Sequence, residues 1–352
     1  MSAVSPAVRA RRAIATAATT AQPVLRRVAR AALRRASFTR ALNAAEERFG
    51  QRVLYPRRDF RVSDLASFLF HDNDVGSEFR WTCRVAGSTF VVPVDPTFPH
   101  PTPRNDPWGP ATYWGRPENR RTRQFYEEYL RRVPSGTLLD VGANWGMHAY
   151  PFAASGHRVV CFEPQSICCA FIRRMCDLNA FTRVTVVEKG VGARPQADVP
   201  FFESEMATVS SMTEQHVTAY QHPWRRRTIE CVTLDTYCRA QNVAPTLIKI
   251  DAEGSEWEIL QGSAAVLGDC KPDLFMEVST SAEKQLAVWE SLATAGYRCY
   301  WVNQDLRGPY PKRPFRLIQT PQEFVTSGAE SPDGYKTDRD FIFLQPHHDV
   351  LA

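Results

Sequence analysis

From about residue 118 onward, short apolar runs alternate with longer segments whose apolar residues recur every three to four positions. That is the pattern of strands separated by helices. A helix is predicted over 118–132, where Phe125, Tyr126, Tyr129 and Leu130 share a face, and Pro134-Ser135-Gly136 stops it. A strand follows at 137–141, then a brief helix over 147–154 ended by Gly156, and a second strand at 158–162. The 165–179 segment is amphipathic, with Ile167, Ala170, Phe171 and Met175 turned toward a sheet, and 184–187 is a third strand. Residues 199–234 form an inserted excursion: strands at 199–203 and 228–234 flank a polar segment holding Ser210, Ser211, His216 and His222. The alternation then resumes with a strand at 246–251, a helix over 256–267, a strand at 273–278 and a helix over 283–295. Strands at 297–302 and 340–344 close it. This order predicts an α/β fold, a largely parallel sheet with helices on both faces.

The chain before residue 118 is different. Strands at 79–84 and 89–94, turning at Ala86-Gly87, read as a hairpin, and 64–71 as a short helix. A proline-dense stretch over 95–103 reads as an extended linker or wrapped arm, because proline removes donors and forbids helix continuation. Residues 1–48 are rich in Ala and Arg, with helical periodicity over 24–38. Three readings of that extension stand side by side: a solvated or disordered tail, an organelle-targeting peptide, or a basic amphipathic helix making weak, salt-sensitive contact with an anionic membrane surface. The expected divisions are thus a basic extension over 1–48, an accessory region with the proline-rich arm over 49–117, and a catalytic domain over 118–346.

Charge sharpens the division. The net charge is +5, yet nine arginines and no acid precede residue 46, which leaves 34 basic against 38 acidic residues in the remainder. A basic groove for nucleic acid is therefore not expected in the core. The nine cysteines include no C-x-x-C pair, and two of them, Cys168 and Cys169, are adjacent. Reduced thiols and a cytoplasmic location are the expectation. No apolar run has the length of a membrane span.

The chemistry gathers at the end of the first core strand. Asp140-Val141-Gly142-Ala143-Asn144-Trp145-Gly146 reads as a strand ending in a tight turn, and Glu163 closes the next strand. Strand, glycine turn, strand, acid is the nucleotide-binding half of a doubly wound fold, the acid being placed for ribose hydroxyls. The middle glycine of a dinucleotide fingerprint is missing, since Asn144 holds that place. Asp140 before the turn would repel a diphosphate but attract an ammonium or sulfonium group. S-adenosyl-L-methionine, with a cation, a ribose diol and no phosphate, suits the set better than a nicotinamide dinucleotide.

Asp140-Val141-Gly142-Ala143-Asn144-x-Gly146, Phe162-Glu163-Pro164, Thr233-Leu234-Asp235, and Ile248-Lys249-Ile250-Asp251-Ala252-Glu253-Gly254-Ser255-Glu256 followed by Ile259-Leu260-x-Gly262 resemble the FkbM-type methyltransferases. Glu277 fits the same pattern, and the resemblance runs over about 118–344. It implies a class I methyltransferase (Rossmann-like) fold with a mostly parallel seven-stranded sheet, S-adenosylmethionine as donor, and O-methylation of a hydroxyl on a small metabolite, polyketide or sugar. The chain departs from the family at Trp145 and His148, where smaller or aliphatic residues and Thr or Ser are usual.

The cofactor-binding candidates are Asp140, Gly142, Asn144, Gly146, Glu163 and Gly190. Glu163 is placed for the ribose diol, the amides of the glycine turn for the methionine carboxylate, and 189–191 for the adenine. Asn144 either contacts that carboxylate or simply takes a left-handed turn conformation. The catalytic candidates are Asp251, Glu253 and His148, as groups able to orient an acceptor hydroxyl and take its proton. Glu256 reads as decoration of the following helix. No metal is expected, although Asp251, Glu253 and Glu277 together would suit a hard cation if they converged. The Trp224-Arg225-Arg226-Arg227 run reads as a solvated loop or a grip on an acidic acceptor. Two rival functions stand against methyl transfer: a non-catalytic cofactor-binding or scaffold protein, and a nicotinamide-dependent oxidoreductase.

Overall fold

The computed structural model describes residues 80–93, 113, 119–205, 207–219, 222–302, 315–327 and 339–351. The Ala/Arg-rich extension, the helix expected at 64–71 and the proline-rich stretch lie outside the described residues. The chain divides into two compact units, residues 1–82 with 93–100, and residues 83–92 with 101–352. Nearly all described residues belong to the second.

That unit is built on an eight-stranded sheet. Its strands are β3 (Thr137–Val141), β4 (Arg158–Phe162), β5 (Val184–Val187), β9 (Leu247–Ile250), β10 (Asp273–Glu277), β11 (Arg298–Val302), β12 (Phe315–Ile318) and β13 (Asp340–Leu344). They lie in the order β12-β11-β13-β10-β9-β3-β4-β5. The pairs from β10 to β5 are parallel, whereas β13 is antiparallel to both β10 and β11. The expected seven strands are present, and β12 adds an eighth, antiparallel on the β11 edge. Its alternation was too short to register, with Phe315 and Ile318 flanking the exposed Arg316 and Leu317.

Burial explains the continuous apolar runs. Leu138, Leu139, Val159, Val160, Ile248, Ile250, Leu274 and Met276 are all fully buried, as central strands covered on both faces require. The helix α1 (Arg120–Arg132) buries Phe125, Tyr126 and Tyr129, and Tyr129 donates its hydroxyl to the Thr246 carbonyl at 3.0 Å. The helix α2 (Ala149–Ala154) follows β3, and α3 (Ser166–Asn179) follows β4, ending where Ala180 turns left-handed.

The expected hairpin is β1 (Arg80–Val85) and β2 (Ser88–Pro93), turning through Ala86 and Gly87, both at positive φ. Val91 exchanges two hydrogen bonds with the Asn179 side chain, at 2.6 and 2.8 Å.

The excursion is a sheet of its own. β6 (Gly190–Val191) pairs parallel with β8 (Trp224–Val232), which pairs antiparallel with β7 (Gln196–Ser204), and a short helix α4 (Glu214–Ala219) lies between β7 and β8. The arginine run therefore sits on a strand and not on a loop. Arg225 and Arg227 meet Glu203, and Arg227 also donates to the Pro164 carbonyl at 2.5 Å.

The helix expected over 256–267 is two. Following α5 (Leu234–Gln241), α6 (Glu256–Gln261) stops at Gly262, and α7 (Ala264–Asp269) begins afresh. A Cβ on Gly262 would fall 2.1 Å from the Gly192 carbonyl, so the chain is pinched there. Asp235 then accepts from the amides of Ala265 and Val266, at 3.0 and 2.9 Å, which caps the second helix from outside. The helix α8 (Ala282–Thr294) packs next to α6, and α9 (Pro321–Thr326) brings Phe324 onto Phe341. Among the described residues no helix is long and apolar enough to cross a membrane.

Candidate active site

The sheet order reverses at β3. The chain runs from β3 through β4 to β5 on one side and through β9 to β10 on the other. Ligands bind in such sheets outside the carboxyl ends of the strands at this switch point. A cavity of about 290 Å³ opens there. The ends of β3, β4, β9 and β10 reach it, and antiparallel β13 brings its first residue, Asp340, to the same edge.

Gly142 makes the turn possible. Its φ is +72°, and a Cβ would stand 1.8 Å from the Asp251 carbonyl, so neither conformation nor space admits a side chain. Its amide and that of Ala143 both donate to the Phe162 carbonyl at 3.0 Å. Asn144 is left-handed at φ +48°; its amide donates to Glu163 at 2.8 Å and its side chain to the Ala207 carbonyl at 3.1 Å. The amide of Trp145 donates to the Asn144 side chain, and that of Gly146 to the Ala143 carbonyl. This corrects one expectation. Every amide from Gly142 to Gly146 already has an acceptor, at the end of β4 or within the turn, so none is held ready for a methionine carboxylate. Gly146 lies beneath Tyr150 and does not line the cavity.

Glu163 faces the cavity at the end of β4 and is 3% exposed. One carboxylate oxygen accepts from Asn144 and the other from the amide of Gln165, each at 2.8 Å. A carboxylate offers about four acceptor positions, so capacity is left for a ligand. Burial pushes its pKa up to about 7, against those two amide bonds. Lys189, Gly190 and Val191 line the cavity after β5, and Gly190 packs against Cys231.

The excursion supplies a wall. Asn144 and Gln165 both donate to the Ala207 carbonyl, Ser210 donates to Gln165 at 3.1 Å, and Ser211 donates to the Glu253 carbonyl at 2.7 Å. Residues 207–212 are thereby fastened to both sides of the switch point, and all of them line the cavity.

Across β3 from Glu163 the cavity is acidic. Asp251, Glu253, Glu277 and Asp340 line it. Asp251 stands 3.2 Å from Nζ of Lys249, which also donates to the Gly142 carbonyl at 3.1 Å. Asp140 corrects a second expectation. It is fully buried, absent from the cavity lining, and 3.5 Å from the same Nζ, its partner across β3 and β9. It balances Lys249 from beneath the cavity. Burial works against the charge of Lys249, but Asp251 and Asp140 overcome it and hold that ammonium above the ordinary lysine range.

Glu253 is left-handed at φ +52°, and His216 of α4 lies 2.5 Å from its carboxylate. Burial alone would lower the His216 pKa, yet the bond and charge of Glu253 raise it. Glu256 is the third correction. It is fully buried and accepts from the Gly254 amide at 2.9 Å, so it fastens the turn after β9 instead of decorating a helix. Burial lifts its pKa to about 7. Among the described residues no three His, Cys, Asp or Glu side chains converge as metal ligands, so Asp251, Glu253 and Glu277 do not form that set.

His148 lines the cavity at the start of α2. Tyr113 meets its Nε2 and Tyr126 its Nδ1, each at 2.6 Å. Burial holds its pKa well below the usual value, with the Lys249 charge adding to the effect. Nothing in the sequence assigns Tyr126, Lys249 or His216 to the site by itself. The Lys249 charge inside an apolar strand was the one visible signal.

The arrangement fits S-adenosylmethionine. Glu163 has acceptor capacity left for a ribose diol, and Asp251 and Glu253 put acids on the cavity's other side. No curated protein matches the sequence significantly. Among solved structures, FkbM methyltransferase from Methylobacillus flagellatus KT aligns at 19% identity and TM-score 0.37, over 60% of this chain and 44% of that one. This chain therefore spans less than half of that protein's length. A SAM-dependent methyltransferase from Agrobacterium tumefaciens aligns at 10% identity and TM-score 0.34, over 78% of this chain and 76% of that one. Precorrin-6y C5,15-methyltransferase from Geobacter metallireducens GS-15 aligns at 10% and 0.31, over 62% and 88%. These likenesses are distant, and the fold assignment rests on strand order. The family model for the methyltransferase FkbM domain matches residues 140–299, which hold the glycine turn, Glu163, the excursion and the Asp251 to Gly254 turn. Residues 140–299 thus resemble the methyltransferase FkbM domain, and they sit on a sheet whose strand order is Rossmann-like.

Proposed function

We propose that this chain is an S-adenosylmethionine-dependent methyltransferase, O-directed, acting on a hydroxyl of a small metabolite, polyketide or sugar. The observation that carries the reading is the group beyond β3 from Glu163, where His148, Asp251, Glu253 and Tyr113 line one cavity. A hydroxyl acceptor needs groups that orient its O–H and take its proton as the oxygen is alkylated. Those side chains are of that kind, whereas a thioether acceptor, which has no proton to lose, would need no such partner.

When bound, the cofactor supplies an electrophilic methyl group on a sulfonium. Everything else is positioning by this chain. Glu163 would hold the ribose hydroxyls, Gly190 and Val191 one face of the base, and the wall at 207–212 would keep water from the reacting atoms. Asp251 and Glu253 would face the sulfonium side and align the acceptor hydroxyl.

The test is methyl transfer from S-adenosyl-[methyl-³H]methionine to a panel of sugars, phenols and hydroxylated polyketide fragments, with amines and thiols as controls. The expected product is an ether, resistant to alkali. Transfer confined to amines or thiols would refute the O-directed reading.

A further inference from the structure

Resting on the O-directed reading, we propose that Tyr113 is the residue that takes the acceptor's proton, and that His148 receives the proton of Tyr113 in the same movement, with Tyr126 fixing the ring. The geometry is a chain of three side chains from three parts of the sequence. Tyr113 lines the cavity and meets Nε2, and Tyr126, buried in α1, meets Nδ1 on the ring's other side. Both tyrosine rings stand edge-on to the imidazole, at 72° and 83°.

The carboxylates are poorer candidates for this step. Asp251 is held 3.2 Å from the Lys249 ammonium and Glu253 lies 2.5 Å from His216. Each is thus already engaged by a neighbouring side chain. His148 is buried and neutral near pH 7, because desolvation disfavours its charged form. An acceptor oxygen becomes strongly acidic as it gains a methyl group, so even a weak base suffices at that moment.

The step balances. The bond from the methyl carbon to sulfur breaks as the bond to the acceptor oxygen forms, leaving a neutral thioether. The acceptor's O–H proton passes to the Tyr113 oxygen, and the Tyr113 proton passes to Nε2. Tyr113 ends neutral, and the single positive charge ends on His148. Tyr113 is catalytic here, and Tyr126 is a positioning residue.

This scheme requires one tautomer. Nε2 must accept from Tyr113, so the ring proton is on Nδ1 and is donated to Tyr126. Long-range ¹H–¹⁵N spectra of histidine-labelled protein, with His148→Gln for assignment, read this without any acceptor. A pyridine-type Nε2 and a protonated Nδ1 are expected. Tyr126→Phe should then give a mixture of tautomers.

On an acceptor that the wild type methylates, Tyr113→Phe should lower kcat about a hundredfold, with KM and S-adenosylhomocysteine affinity unchanged. A ring protonated on Nε2 overturns the relay, as does a Tyr113→Phe enzyme within about threefold of wild type, well short of the general-base range. If the wild type methylates no hydroxyl, the O-directed reading fails, and the tautomer still decides whether the chain is wired as proposed.

Discussion

Removing the Glu163 carboxylate should separate cofactor binding from folding. In Glu163→Ala a ribose diol loses two hydrogen bonds to a charged acceptor. Such bonds contribute about 1.5–3 kcal/mol each, so the low end of the sum, about 3 kcal/mol, is a hundredfold or more in affinity. Isothermal titration with S-adenosylhomocysteine measures it. Asn144 and Gln165 also lose the acceptor for their amides, so thermal unfolding without ligand must accompany the titration. Glu163→Gln should fall between wild type and Glu163→Ala. It keeps one acceptor oxygen, but its NH₂ would face a backbone amide. A pH signature goes with the magnitude. Burial raises the Glu163 pKa from its ordinary 4.5 to about 7, and hydroxyl donors favour the ionised form. Affinity should therefore rise as pH climbs through about 7 and then level, and Glu163→Gln should flatten that rise. Wild-type affinity in a folded Glu163→Ala protein would refute the ribose assignment.

Three further outcomes follow from the same geometry. Lys249→Met leaves Asp140 buried without its cation and should cost about 3–5 kcal/mol in urea unfolding, with part of the loss recovered by adding Asp140→Asn. Glu256→Gln keeps an acceptor for the Gly254 amide. The Glu256 pKa is raised by folding from 4.5 to about 7, so its carboxyl contributes stability that is present below about pH 4.5 and lost as pH rises through 7. The variant should therefore gain on wild type between pH 5 and 8 by up to about 3 kcal/mol, read from paired urea titrations; a constant difference across that range would refute it. Gly142→Ala places a Cβ on the Asp251 carbonyl at positive φ and should abolish S-adenosylhomocysteine binding in calorimetry, whereas Gly156→Ala, with open space around it, should retain it.

Much of this site is local in sequence. Gly142 and Glu163 each announce themselves by their place at the end of an apolar run, and β3, β4 and β5 end where the runs do. What the sequence hides is set by register and by distant contact. Asp140 looks like a ligand-facing acid until β9 places Lys249 directly across from it. The helix after Glu256 looks continuous until Gly192 presses on Gly262. The turn amides look available until Phe162, Glu163 and the Asn144 side chain claim them. Tyr126 reads as one more apolar residue on a helix face, which it also is; its hydroxyl reaches His148 only because α1 packs that face against Phe275 of β10. Glu256 reads as a surface acid because nothing nearby in sequence reports that its helix start is buried.

The place of β13 between β10 and β11 has a consequence for synthesis. Because β11 touches β13 and not β10, it has no seat in the sheet until residues 340–344 arrive, some forty positions later. Asp340, the last member of the cavity lining, arrives with them. A ribosome-bound chain can therefore hold β3, β4, β9 and β10 together and still present an open edge where the acceptor side of the pocket belongs. Photo-crosslinking of radiolabelled S-adenosylmethionine to stalled chains of graded length would show whether binding waits for that strand.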